Sequence, residues 1–197
     1  MSFSIRTLFA VVAIALVSGC AGTDFKRPDS GVVVVGKSTP DDVMRVMGTP
    51  RQTGEVIVNE QKVKTMTYVF AAAGGEPTYP GVVPARAMTF ATFQERVVGQ
   101  EFVSSFKQDA SEFDDSRIAS IVKGRTTRQE VLALLGKPSG EAVYPMIKQK
   151  DHTGLIYTYA QAKGTVFNMK FHSKSLTVSF TPGDLVADVD YKSVGEK

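Results

Sequence analysis

One stretch of this chain occurs twice, and it constrains the fold more than any other feature. The first copy is Gly36-Lys37-Ser38-Thr39-Pro40-Asp41-Asp42-Val43-Met44-Arg45-Val46-Met47-Gly48-Thr49-Pro50. The second is Gly124-Arg125-Thr126-Thr127-Arg128-Gln129-Glu130-Val131-Leu132-Ala133-Leu134-Leu135-Gly136-Lys137-Pro138, at an offset of 88 residues with no gap. Gly, Thr, Val, Gly and Pro are identical at five positions, and Lys/Arg, Ser/Thr, Asp/Glu and Met/Leu match in kind at most others. An ungapped match of this length is read as an internal duplication.

Each copy carries the marks of a short helix. Thr39 and Thr127 are N-caps, and Asp42 and Glu130 three residues on complete capping boxes. Pro40 suits the first helical position, which needs no N–H. Val43, Val46 and Met47, like Val131, Leu134 and Leu135, form one apolar stripe at i, i+3, i+4. Gly48 and Gly136 end the helices as left-handed caps with positive φ, each followed two residues later by proline.

The first nineteen residues read as a signal peptide: Arg6 is a short basic region and Leu8 to Val17 an apolar run of ten, too short to span a bilayer. Val17-Ser18-Gly19-Cys20 resembles a bacterial lipobox. The resemblance implies cleavage before Cys20 and acylation of its sulfur and new amino end. Ala21, in place of Asp, implies sorting to the outer membrane. Cys20 is the only cysteine, so an internal disulfide is impossible.

Removing Arg6 with the leader takes the formal charge from +3 to +2, which excludes the strongly basic balance of a nucleic-acid binder. Asp109, Glu112, Asp114 and Asp115 cluster, and Lys137, Lys148, Lys150, Lys163, Lys170 and Lys174 make a basic second half. These charges read as solvated surface, with attraction to anionic lipid headgroups near the anchor as the sharper reading.

Residues 20–30 read as a tether, 31–106 as a first repeat, 107–114 as a polar linker and 115–197 as a second repeat. In the first repeat, Glu55 to Val58 and Val63 to Phe70 flank the turn Asn59-Glu60-Gln61, a hairpin signal. Met66, Tyr68 and Phe70 fall on one strand face and Val63, Thr65, Thr67 and Val69 on the other. Tyr157-Thr158-Tyr159-Ala160 echoes Tyr68-Val69-Phe70-Ala71 at offset 89. Met88 to Phe93 and Val97 to Phe106 match Leu176 to Phe180 and Leu185 to Tyr191. In the last strand Leu185, Ala187, Val189 and Tyr191 are expected inward and Val186, Asp188 and Asp190 outward, after the turn Pro182-Gly183. Ser116 to Val122 suggests a short helix capped by Gly124. Residues 31–36 are left open, since four valines prefer a strand. The expected fold class is α+β: two tandem repeats, each one or two short helices followed by three or four antiparallel strands, with one continuous sheet as an option.

Gly31 to Ser38 matches the letters of a phosphate-binding P-loop. No buried strand precedes it, four valines resist the positive φ values such a loop needs, and the helix after it is two turns long. Neither of the two histidines, His152 and His172, has a second His or Cys at a metal-ligand spacing in the sequence. No nucleophile elbow occurs. Asp41/Asp42, Asp114/Asp115 and Asp188/Asp190 are explained by capping, solvation and an outward strand face. No enzyme, cofactor, metal or small-molecule substrate is therefore expected.

Two segments suggest partner recognition. Ala71 to Pro84 holds Gly74, Gly75, Pro77, Pro80, Gly81 and Pro84, too many breakers for a tight hairpin. It also carries Tyr79, Val82 and Val83. Its counterpart Gln161 to Lys174 carries Val166, Phe167, Met169 and Phe171 among lysines. Two such loops are expected to project from one end of the sheet, with Tyr79, Val82, Val83, Phe167 and Met169 as partner-binding residues.

The pattern around Gly36, Thr39, Val43, Gly48 and Pro50, repeated at Gly124, Thr127, Val131, Gly136 and Pro138, on a lipoprotein, resembles the SmpA/OmlA family. Those are small outer-membrane lipoproteins that include the BamE-type subunit of the barrel-assembly machine. A tandem pair also resembles the β-lactamase-inhibitory-protein fold, which implies protein binding through a sheet face and projecting loops. The first resemblance implies a non-catalytic interaction module in cell-envelope integrity or barrel assembly, on the periplasmic side of the outer membrane. The second implies an inhibitor or sequestering protein for a periplasmic enzyme.

Overall fold

The computed structural model describes residues 22–72, 75–165 and 167–196; Cys20, the leader, Gly74 and Val166 lie outside the described residues. Helix α1 spans Pro40–Met47 and α2 spans Arg128–Leu135, where the duplicated stretches predict them. Both capping boxes are closed. Thr39 donates its backbone N–H to Asp42 at 2.9 Å, and Thr127 to Glu130 at 2.7 Å. Gly48 and Gly136 have φ of 75° and 76°. Their ψ values of −159° and −153° place them beyond the left-handed helical region, in extended backbone open essentially to glycine alone. With only two turns, each helix sends few side chains inward: Val43, Val131 and Leu135 are buried, whereas Val46 of the expected stripe is exposed.

Among the described residues eight strands follow: β1 Gln52–Val58, β2 Gln61–Ala71, β3 Ala85–Phe93, β4 Arg96–Ser104, β5 Gly140–Val143, β6 Thr153–Thr165, β7 Asn168–Phe180 and β8 Val186–Gly195. They form one antiparallel sheet in the order β1 to β8. This corrects the expected α+β pair of repeats: the chain is mostly β, one curled sheet with a few short helices. The helix signals are strong but local, and the closing glycines limit them to two turns. Strand pairing extends further than alternation in the sequence suggests, to thirteen residues each in β6 and β7. The sheet also crosses the expected boundary between repeats, through Gly99↔Ala142, Gln100↔Glu141 and Glu101↔Gly140.

Tight turns set the register. Asn59 and Glu60, with φ of 47° and 63°, join β1 to β2 as a two-residue hairpin. Gln94 and Glu95, with φ of 50° and 56°, do the same for β3 and β4. Near the start of β8 the register shifts between Ser179 and Phe180, so that Phe180 pairs with Val186 and Ser179 with Asp188. The extra residue reverses the expected facing at this point: Val186 is fully buried and Leu185 only partly so.

One sheet face carries the helices. Val43 packs with Met66, Tyr68, Met88, Phe90, Val97 and Phe102, and Val131 and Leu135 pack with Leu155, Tyr157, Leu176, Val178 and Phe180. Residues 31–36 form no strand beyond an isolated bridge between Ser30 and Val33, and Val33 joins the first cluster. The helix suggested at 116–122 is a 3-10 helix, Asp115–Ser120, capped by Asp114. Phe113 from the polar 107–114 stretch is buried against Tyr157. Phe25, in the stretch read as a tether, packs on the Tyr68 ring. On the other face, Met146 and Ile147 from the β5–β6 connection cover Ala91, Val98, Ala142 and Ile156.

Candidate interaction surface

Register partners share a sheet face, so the second face can be read across the strands. Its central row is Gln52, Thr67, Thr89, Glu101, Gly140, Ile156, Thr177 and Asp190. Above it Thr158 pairs with Ser175. Thr67 and Thr89 hydroxyls lie 3.3 Å apart, and Thr158 donates to Ser175 at 3.2 Å. Thr67, Thr89, Ser175 and Thr177 are half-buried, presenting short hydroxyl side chains rather than an apolar core surface.

Glu101 lies in the middle of this face at 3% exposure. Burial pushes its carboxyl up to about 7, and a hydrogen bond with Thr158 offsets part of that. Its Oε1 has no hydrogen-bond partner among the described residues. Opposite it, Gly140 is required by close approach: a Cβ there would lie 1.9 Å from the Gln100 carbonyl oxygen.

At one end of the sheet the two segments expected as partner loops meet. Val83 donates to the Ala162 carbonyl at 2.8 Å, and Gly164 to Gly81 at 3.2 Å. The 161–174 stretch, however, is not a loop: β6 and β7 stay paired out to Thr165↔Asn168. Tyr79 is 42% exposed, but its ring meets Tyr159 edge-on and its hydroxyl donates to Glu112. That carboxylate, with burial, pushes the Tyr79 hydroxyl up to about 12. Val82 is buried at 5% exposure, and Val83 and Met169 are half-buried. Phe167 is 99% exposed at the hairpin tip.

Other charged groups have structural partners. Arg86, lining a groove of about 290 Å³, donates to the Phe25 carbonyl at 2.8 Å and lies 3.3 Å from Asp109. Lys174 is 2.9 Å from Asp115. Asp188 pairs with Lys123, and Asp190 lies 2.9 Å from Lys192. Among the described residues no group of three or more His, Cys, Asp or Glu is placed to hold a metal ion. No described helix is long and apolar enough to cross a membrane.

No protein-family model matches the chain, and no curated protein matches it in sequence. The SmpA/OmlA resemblance therefore rests on the duplicated segments and the lipobox alone. Among solved structures, a candidate β-lactamase inhibitor protein from Streptococcus mutans is similar, with a TM-score of 0.41 and 9% identity. The match covers 82% of this chain and 90% of that one.

The sequence reading did not single out Glu101 or the hydroxyl face. The alternation of Thr65 and Thr67 against Met66 and Tyr68 is a signal for half of it. The alignment of those threonines with Thr89, Thr158, Ser175 and Thr177 depends on register, which no local pattern specifies.

Proposed function

We propose that this chain is a non-catalytic protein-binding module of a bacterial cell envelope. Acylated Cys20 holds it at the periplasmic face of the outer membrane, and its partner docks on the hydroxyl-rich second face of the sheet. The observation that carries this reading is the set of half-buried hydroxyls that flank the covered centre of that face, Thr67 and Thr89 on one side and Ser175 and Thr177 on the other. Seven inter-strand steps separate Gln52 from Asp190, about 34 Å at the usual spacing. Such a surface suits a protein footprint better than a small ligand, which needs a concave pocket. Threonine and serine hydroxyls can donate and accept toward a partner backbone without the entropy that long side chains lose.

Within this reading the partner is a barrel-assembly subunit or a soluble periplasmic enzyme. Photo-cross-linking from positions 89 and 177 in intact envelopes identifies which. The double variant Thr89→Arg/Thr177→Arg should fold and lose the cross-linked partner, and Cys20→Ser should leave the membrane fraction. Retention of the partner by the folded double variant would remove this face from consideration.

A further inference from the structure

The β6–β7 hairpin ends in an aromatic side chain that no described residue covers. Phe167 is 99% exposed and Phe171, four residues further on in β7, is 45% exposed. From His152 to Gly183 the sequence holds no Asp or Glu, but it holds Lys163, Lys170 and Lys174. Lys174 is buried against Asp115, which leaves Lys163 and Lys170 exposed near the tip. Lys170 also meets Glu196 at 2.8 Å.

The N-terminal end of the described chain lies at this same end of the sheet. Gly22 is packed so closely on β2 that a Cβ would stand 2.1 Å from the Val69 carbonyl oxygen. From there Ala72 bonds Pro84 at 3.2 Å, and the 81–83 segment bonds the 162–164 stretch of β6. In the sequence Cys20 is two residues before Gly22. The hairpin runs seven residues from Thr158 to Thr165, about 23 Å of strand beyond the level of Val69.

We infer that the β6–β7 tip is a second membrane contact, in which Phe167 enters the lipid interface and Lys163 and Lys170 meet anionic headgroups. Its orientation rests on the proposed anchoring through Cys20. Size decides between lipid and protein as the occupant. A stable protein interface needs about 800 Å² from each side, more than one ring at the end of a two-stranded ribbon supplies. A lipid interface accepts a single aromatic ring, with basic residues adding attraction to anionic headgroups. The two attachments together hold the sheet at one tilt and keep its hydroxyl face turned toward the periplasm.

The chain contains no tryptophan, so Phe167→Trp is a single-site reporter. With mixed phosphatidylcholine–phosphatidylglycerol vesicles, the indole emission of this variant should shift to the blue and be quenched by brominated lipid. Lys163→Ala/Lys170→Ala in that background should weaken the response several-fold. Lys148→Ala/Lys150→Ala, at the opposite end of the sheet, should leave it unchanged. Cys20→Ser in the same background separates the two readings: a tip response that persists without the lipid anchor supports the tip even if anchoring fails. Acylated Phe167→Trp protein that stays on vesicles while its indole emits as in water overturns the tip contact. So does a photo-cross-linker at position 167 that captures protein rather than lipid.

Discussion

The hydroxyl of Tyr68 donates to the carbonyl of Gly48 at 2.8 Å, closing the C-terminal end of α1 onto strand β2. Tyr157 makes the same bond to Gly136 at 3.2 Å, between β6 and α2. Each bond satisfies a carbonyl at a helix terminus, where no intrahelical donor is left. Tyr68→Phe and Tyr157→Phe should each cost about 1 kcal/mol by urea unfolding. The two lie in separate clusters, so the double variant should lose close to the sum. No change in either midpoint would show that the bonds are incidental.

Gly136 and Gly140 provide a ranked comparison. At Gly136 an added Cβ meets nothing within 4 Å, so Gly136→Ala is penalised only by backbone strain, about 1–3 kcal/mol. At Gly140 the same Cβ collides with the backbone of β4 at 1.9 Å. Gly140→Ala should therefore be the more damaging, because it parts the three residue pairs that join β4 to β5. The reverse order in thermal or urea unfolding would contradict the close approach.

Glu101 makes stability depend on pH. Its folded-state value of about 7 lies above the ordinary 4.5, so the folded protein holds this proton more tightly than the unfolded chain. The associated stability is full below the ordinary value and is lost as pH rises through the folded one, roughly 3 kcal/mol in all. Glu101→Gln should match the wild type in acid and exceed it by that order at about pH 8. Parallel stability–pH curves for the two proteins would refute the buried carboxyl.

Asp115 works in the opposite sense. The Tyr191 hydroxyl at 2.6 Å and then the Lys174 ammonium hold its carboxyl far below the usual range. Its contribution is present at neutral pH and is lost as pH falls below the ordinary carboxylate value. Asp115→Asn should cost about 2 kcal/mol at neutral pH, discounted for partial exposure, because it weakens the pairing of a buried lysine. Asp115→Asn/Lys174→Met should cost less than the sum of its parts, since the second change removes the stranded charge. Strict additivity in this cycle would mean the pair is not coupled.

The parts legible in the sequence are those settled within four residues of chain. Thr39 with Asp42, and Thr127 with Glu130, specify where each helix starts. Gly48 and Gly136 specify where each stops, because their backbone is closed to side-chain-bearing residues. Asn59-Glu60 specifies the first hairpin through its two positive φ values. The tertiary structure alone decided what crosses between strands. The β4–β5 junction joins the two expected units into the one sheet that the sequence left only as an option, and it depends on Glu101 pairing with Gly140 from far along the chain. The bulge opposite Phe180 turns Val186 inward against its alternation, because the neighbouring strand sets the register. The burial of Glu101 and Lys174 follows in the same way. A charged residue in a strand reads as solvent-facing until its neighbours are known, and here those neighbours are the hydroxyl row around Glu101 and the Phe113–Asp115 segment around Lys174.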